Sequence, residues 1–253
     1  MTNSDFFAFT DTTLPVREEQ QVAFQNAWQF LALPGNWFTG AERLAIAAES
    51  RKAYACQLCQ QRKDSLSPAS VTGSHDSSGL LPVAVVDIVH RCITDQNRIT
   101  QRWVDGLLEA GINGHDAQGE YVEIIGVVVL IYSIDEFMRG IGAPPEPLPE
   151  PLAGEPSWYR PPHLETETGF VPMIPVDGNT GDEADLWGEM TANVLRALTL
   201  VPDNLRHWKM LSDQMYVPLP FMGQPGLETG RAIDRMQVEL VAGRVSSHNE
   251  CFY

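Results

Sequence analysis

Proline sets the strongest limit on what this chain can fold into. Ten of its 18 prolines fall between Pro144 and Pro175. Proline has no N–H to donate and holds φ near about −65°, so it breaks helices and is excluded from central strands. The run Pro144-Pro145-Glu146-Pro147-Leu148-Pro149-Glu150-Pro151 therefore reads as extended chain. It divides the sequence into a first region at 1–142, a proline-rich linker at 143–178 and a second region at 179–253.

Both flanking regions carry apolar residues at helical spacing. Phe24, Trp28 and Leu31 share one face, as do Val85, Ile88, Val89 and Cys92 just after Pro82. Ile99, Trp103 and Leu107 follow, with Gly111 placed to end the helix. The β-branched stretch from Tyr121 is read as helix, because its pattern runs to Gly140, longer than a usual strand. In the second region Leu205, Trp208, Leu211 and Met215 form one face after Pro202-Asp203. Ile233, Met236, Leu240, Val241 and Arg244 form another. Strand pairs with two-residue hairpin turns are lacking, so the expected class is all-α.

Charge narrows the partners. The formal net charge is −16, which repels nucleic acid and anionic membrane surfaces. No basic residue precedes Arg17, and no apolar run follows the start, so the opening does not read as a secretory signal. The longest apolar stretch, Ile124 to Ile134, is too short to span a bilayer. The expectation is a cytoplasmic protein without nucleic-acid or membrane partners.

In that reducing setting the cysteines point to redox or metal chemistry rather than to a disulfide scaffold. There are four: Cys56, Cys59, Cys92 and Cys251. Cys56-x-x-Cys59 is the clearest motif, since residues three apart share a helix face and their sulfurs can meet. At a helix start, free N–H groups would stabilise a thiolate, and Arg51, Lys52, Arg62 and Lys63 add positive charge. Two such cysteines can also simply pack on a buried face. Zinc would need two further ligands, and no second Cys-x-x-Cys or histidine pair sits at the usual spacing, so no metal is expected.

Glu239 and Cys251 make a second candidate, twelve residues apart, with Ser246-Ser247-His248-Asn249 supplying a turn between them. The glutamate would accept the thiol proton. On spacing alone, a solvated helix glutamate and a terminal cysteine is the plainer reading. Cys92 continues an apolar face and reads as a core residue, with His90 flanking it. Asp135-Glu136 reads as a solvated helix edge.

A weak internal repeat links the two cysteine segments. Thr39-Gly40 opens an alanine-rich helix leading to Cys56, and Thr229-Gly230 opens a segment leading to Cys251. Helix, glutamate, turn and cysteine pair resemble the AhpD-like alkylhydroperoxidase family, related to carboxymuconolactone decarboxylases. The likeness is closer to the alkylhydroperoxidase-related (seleno)proteins, which carry two such halves. It rests on Leu33-Pro34-Gly35-Asn36-Trp37, Gly40-Ala41-Glu42-Arg43, the Cys56–Cys59 motif, Val127 to Asp135, Val171 to Pro175 and Asn249 to Tyr253.

The family motif is Glu-x11-Cys-x-x-Cys-x3-His, sometimes with selenocysteine at the second cysteine. Glu239 and Cys251 match its first two elements. The remaining two would fall beyond Tyr253, which leads to the expectation of a second half truncated at a selenocysteine codon read as stop. In the first half Lys63 stands where the motif has histidine, and Glu42 and Glu49 lie fourteen and seven residues before Cys56. The resemblance implies a peroxidase acting on hydroperoxides, reduced by a separate dithiol protein, self-associating and needing no metal or organic cofactor. It implies that the motif's second cysteine-type residue, which would stand at position 254, attacks the peroxide and that Cys251 resolves the product. Two rivals stand beside it: a non-catalytic helical scaffold, and a cysteine-independent decarboxylase of the wider family.

Overall fold

The structure, a computed structural model, describes residues 6–10, 12–166, 168–224, 226 and 230–248. Among these residues it is all-helical: nine α-helices, no strand, and one isolated antiparallel bridge between Glu165 and Met173. None of the helices is long and apolar enough to cross a membrane.

Local chemistry accounts for the helix ends. Helix α1 (Glu18–Ala32) opens with two glutamates, which favour the positive end of the helix dipole. Helix α2 (Gly40–Ala53) starts with a capping box. Thr39 accepts the Glu42 N–H through its hydroxyl, and the Glu42 carboxylate accepts the Thr39 N–H at 2.8 Å. Glu42 is therefore committed to starting α2. Helix α3 (Gln57–Asp64) has Cys56 as its N-cap residue, and α4 (Val83–Thr94) has Pro82. Helix α5 (Gln101–Ala110) stops at Gly111, whose φ of 82° a side chain would strain.

Helix α6 (Ala117–Gly140) is the axis of the fold and packs against α1, α2 and α4. Ile124, Val127, Leu130, Ile131 and Ile134 are fully buried along it. A helix apolar on all sides belongs inside a domain, and that burial overrides the strand preference of its valines and isoleucines. Two charged ties fix α2 on α6. Arg43 and Glu123 meet at 3.5 Å with both side chains wholly buried. Arg51 grips Asp135 with two hydrogen bonds of 2.7 and 2.8 Å. Asp135 is thus a paired group rather than a solvated edge.

The proline-rich segment is extended and lies against these helices. Trp28 donates its indole N–H to the Pro147 carbonyl at 2.8 Å, and the Leu152 N–H reaches the Ala32 carbonyl at 2.9 Å. After the short α7 (Asn193–Arg196), helix α8 (Pro202–Met215) packs on α1 and α6, and its Leu211 enters their core.

Helix α9 (Arg235–His248) corrects one expectation. Of its supposed core face, Ile233, Met236, Leu240, Val241 and Arg244 are all exposed, Leu240 by 75%. The edge turned inward is Arg235 and Val238, with Arg235 donating to the Met222 carbonyl at 3.1 Å.

Candidate functional site

Cys56 caps the start of α3 and Cys59 sits in its first turn, with Cys56 fully buried and Cys59 6% exposed. The helix is short and polar, and its inward side is Leu58 and Cys59. The chain then leaves for a serine- and glycine-rich loop at 65–82 and returns across the sulfurs before entering α4. That return delivers His75 from the loop and His90 from α4.

The Nδ1 atom of His75 lies 3.6 Å from Cys56 Sγ and 3.4 Å from Cys59 Sγ. The Nδ1 atom of His90 lies 3.3 Å from Cys59 Sγ. Each ring is backed at its other nitrogen by a carboxylate. His75 Nε2 meets Asp87 at 3.0 Å, and His90 Nε2 meets Glu49 at 2.9 Å with both side chains fully buried. The four ligand-type atoms of Cys56, Cys59, His75 and His90 all lie within 4.8 Å of one another. The backbone N–H of Asp76 also donates to Cys56 Sγ at 3.4 Å.

The carboxylates are themselves held. Glu49 accepts the N–H and hydroxyl of Ser78 at 3.1 and 3.0 Å. Asp87 faces Arg62 and Arg91 and accepts the Trp103 indole N–H at 3.3 Å. Asp87 and His90 lie three apart on α4, so one helix face supplies a ligand-type nitrogen and the acid that orients the other.

This surrounding polarises the sulfur. Burial pushes the Cys59 thiol up, but hydrogen bonds from His75 and His90 outweigh it and bring it down to about 5. Burial likewise opposes charge on His75, yet Asp87 and the two cysteines push it up to about 10. His90 is raised against its burial by Cys59 and Glu49. Glu49 stays below the usual carboxylate range because His90 and Ser78 outweigh its burial. The arrangement is a buried dithiol with two carboxylate-oriented imidazoles, suited to proton transfer at sulfur or to metal ligation.

Several sequence expectations meet this geometry. Cys56 and Cys59 come together as foreseen. Lys63, in the motif's histidine place, is exposed, and the imidazoles come instead from outside α3. His90, read as a core flank, is a buried partner of Cys59. The reason is that α4 turns His90 toward α2 and α3 while Val85, Ile88 and Val89 fill the core. His75 was missed altogether. A signal was present: a histidine in the loop after the cysteine helix, followed by Asp-x-x-His on the next helix. With these two rings the cysteine pair has the further ligand types whose lack argued against a metal.

Of the remaining candidates, Glu239 is exposed, accepts the Tyr216 hydroxyl at 2.7 Å and pairs with Arg235. Cys251 lies outside the described residues. Cys92 packs half-buried against the core, and burial pushes its thiol up to about 12. No family model matches the chain, and no match to it was found among curated proteins or solved structures.

Proposed function

We propose that the protein is a thiol-dependent peroxidase of AhpD-like type, with Cys59 as the attacking sulfur. The observation that supports this best is the convergence of two carboxylate-backed imidazoles on Cys59 Sγ, at 3.4 and 3.3 Å. A cysteine held by a base that is held in turn by an acid is the arrangement of an activated nucleophile. The second thiol needed to complete turnover lies beside it.

The Cys59 thiol passes its proton to imidazole and attacks the distal oxygen of a hydroperoxide. The O–O bond breaks, the leaving alkoxide takes that proton, and the products are an alcohol and a sulfenic acid at Cys59. The Cys56 thiol then attacks this sulfur, a disulfide forms and water leaves. A dithiol reductant protein restores both thiols by exchange. Glu49 and Asp87 are positioning residues that fix each ring's orientation. The same reading carries a homo-oligomer in a reducing, cytoplasmic setting, with no organic cofactor.

Metal-free, reduced protein tests the reading. One hydroperoxide per chain should consume the Cys56 and Cys59 thiols and yield a disulfide-linked peptide in mass spectra. Cys59→Ser should abolish consumption, whereas Cys56→Ser should leave a sulfenic acid at Cys59 that dimedone traps. Peroxide consumption that survives Cys59→Ser at the wild-type rate overturns the assignment.

A further inference from the structure

The same four side chains have a second chemistry. Tetrahedral zinc binds thiolate sulfur at about 2.3 Å and imidazole nitrogen at about 2.0–2.1 Å, which separates adjacent sulfur and nitrogen ligands by about 3.6 Å. Three of the four sulfur–nitrogen separations are 3.6, 3.4 and 3.3 Å, close to that requirement, and all four ligand atoms lie within 4.8 Å of one another. Both histidines present Nδ1 to the sulfurs and Nε2 to a carboxylate. A ring whose far N–H is taken by a carboxylate offers its near lone pair to a metal, the usual orienting device around zinc. Two such couples aimed at one point are more than a pair of packed cysteines needs. Two thiolates also balance the charge of a divalent ion, leaving a neutral buried centre.

We propose that Cys56, Cys59, His75 and His90 form a zinc site, so that the dithiol alternates between a zinc-closed form and an open, metal-free form. A sulfur lone pair bound to zinc is withheld from peroxide, and the zinc-closed form is the protected one. Slow oxidation of that form converts the zinc dithiolate, one hydroperoxide and two protons into a disulfide, one alcohol, one water and free Zn²⁺. This step rests on the peroxidase reading; zinc binding itself does not.

The full chain, reduced and stripped with chelator, is titrated with Zn²⁺ against a chromogenic chelator and with Co²⁺ by absorption spectroscopy. One zinc per chain is expected, with Co²⁺ giving thiolate charge-transfer and intense tetrahedral bands. Cys56→Ser and His90→Ala should each weaken zinc at least 100-fold. Glu49→Gln and Asp87→Asn, which keep every ligand, should weaken it about 10- to 100-fold. Zinc bound no tighter by wild type than by the Cys56→Ser/Cys59→Ser variant, or a Co²⁺ spectrum without thiolate bands, overturns the site. Circular dichroism of each metal-free variant separates lost ligation from lost folding, and the carboxylate variants decide if the ligand variants unfold. Peroxide consumption by the same metal-free sample keeps the two readings apart. Consumption without zinc binding removes the zinc site alone, and zinc binding without consumption removes the peroxidase and with it the release step.

Discussion

Glu123 carries a carboxylate in the second turn of α6, where none of it reaches solvent. It accepts the N–H groups of Asn36 and Trp37 at 3.0 and 2.7 Å and faces Arg43. The loop can come this close because Gly35 has no side chain; a Cβ there would lie 1.8 Å from Glu123 Oε1. Burial pushes the Glu123 carboxyl up to about 7, although Arg43 and the N–H groups pull the other way. A folded-state value above the unfolded one gives stability that is full below the unfolded value and lost as pH rises through the folded one. Wild type should therefore lose stability between about pH 5 and 8. Glu123→Gln should flatten that decline, so that it lowers stability more at acidic pH than at neutral pH. Denaturant midpoints across the pH range check this, and parallel slopes for the two proteins would remove Glu123 as the cause. Residue identity alone did not disclose this pair, nor His75 beside the sulfurs. Cys-x-x-Cys is visible because its members are neighbours in the chain, whereas His75 reaches them only through the path of a loop.

Helices were legible where period, length and end signals agreed. Gly111 stops α5 and Pro202 starts α8, both by backbone chemistry readable from one residue. Helix α9 was misjudged because an apolar spacing shows that a face exists, not that another element covers it. The α6–α8 crossing depends on contacts that no single-helix pattern contains. Asn204 of α8 donates to the Val122 carbonyl of α6 at 3.2 Å, and a Cβ on Gly126 would lie 2.0 Å from its Nδ2. Alanine is the better helix former by about 0.8–1.0 kcal/mol, but overpacking a close crossing costs about 1–3 kcal/mol. Gly126→Ala should therefore destabilise the protein on balance, and Asn204→Ala should recover part of the loss. A Gly126→Ala variant more stable than wild type in urea would show that the crossing yields freely.

At the scale of the molecule, the extended proline segment and α8 bear on how far the cysteine centre stands alone. Leu211 of α8 is buried in the same core as Trp28 of α1 and Ile88 of α4, the helix that carries His90 and Asp87. The segment joining the regions is bonded along α1, through Trp28 to Pro147 and Leu152 to Ala32. Proline content foretold its extension but not its docking, because docking rests on carbonyls and N–H groups that every residue type carries. A shared core implies shared unfolding. Leu211→Ala leaves a cavity costing about 2–5 kcal/mol, far from the sulfurs in sequence. Its effect should nonetheless reach them. The denaturant midpoint at which Cys59 becomes open to a thiol reagent should fall together with the midpoint from circular dichroism, by the same amount. If the Cys59 midpoint stayed at its wild-type value while the helical signal shifted, α8 would unfold separately, and α1 to α6 would hold the thiol centre on their own.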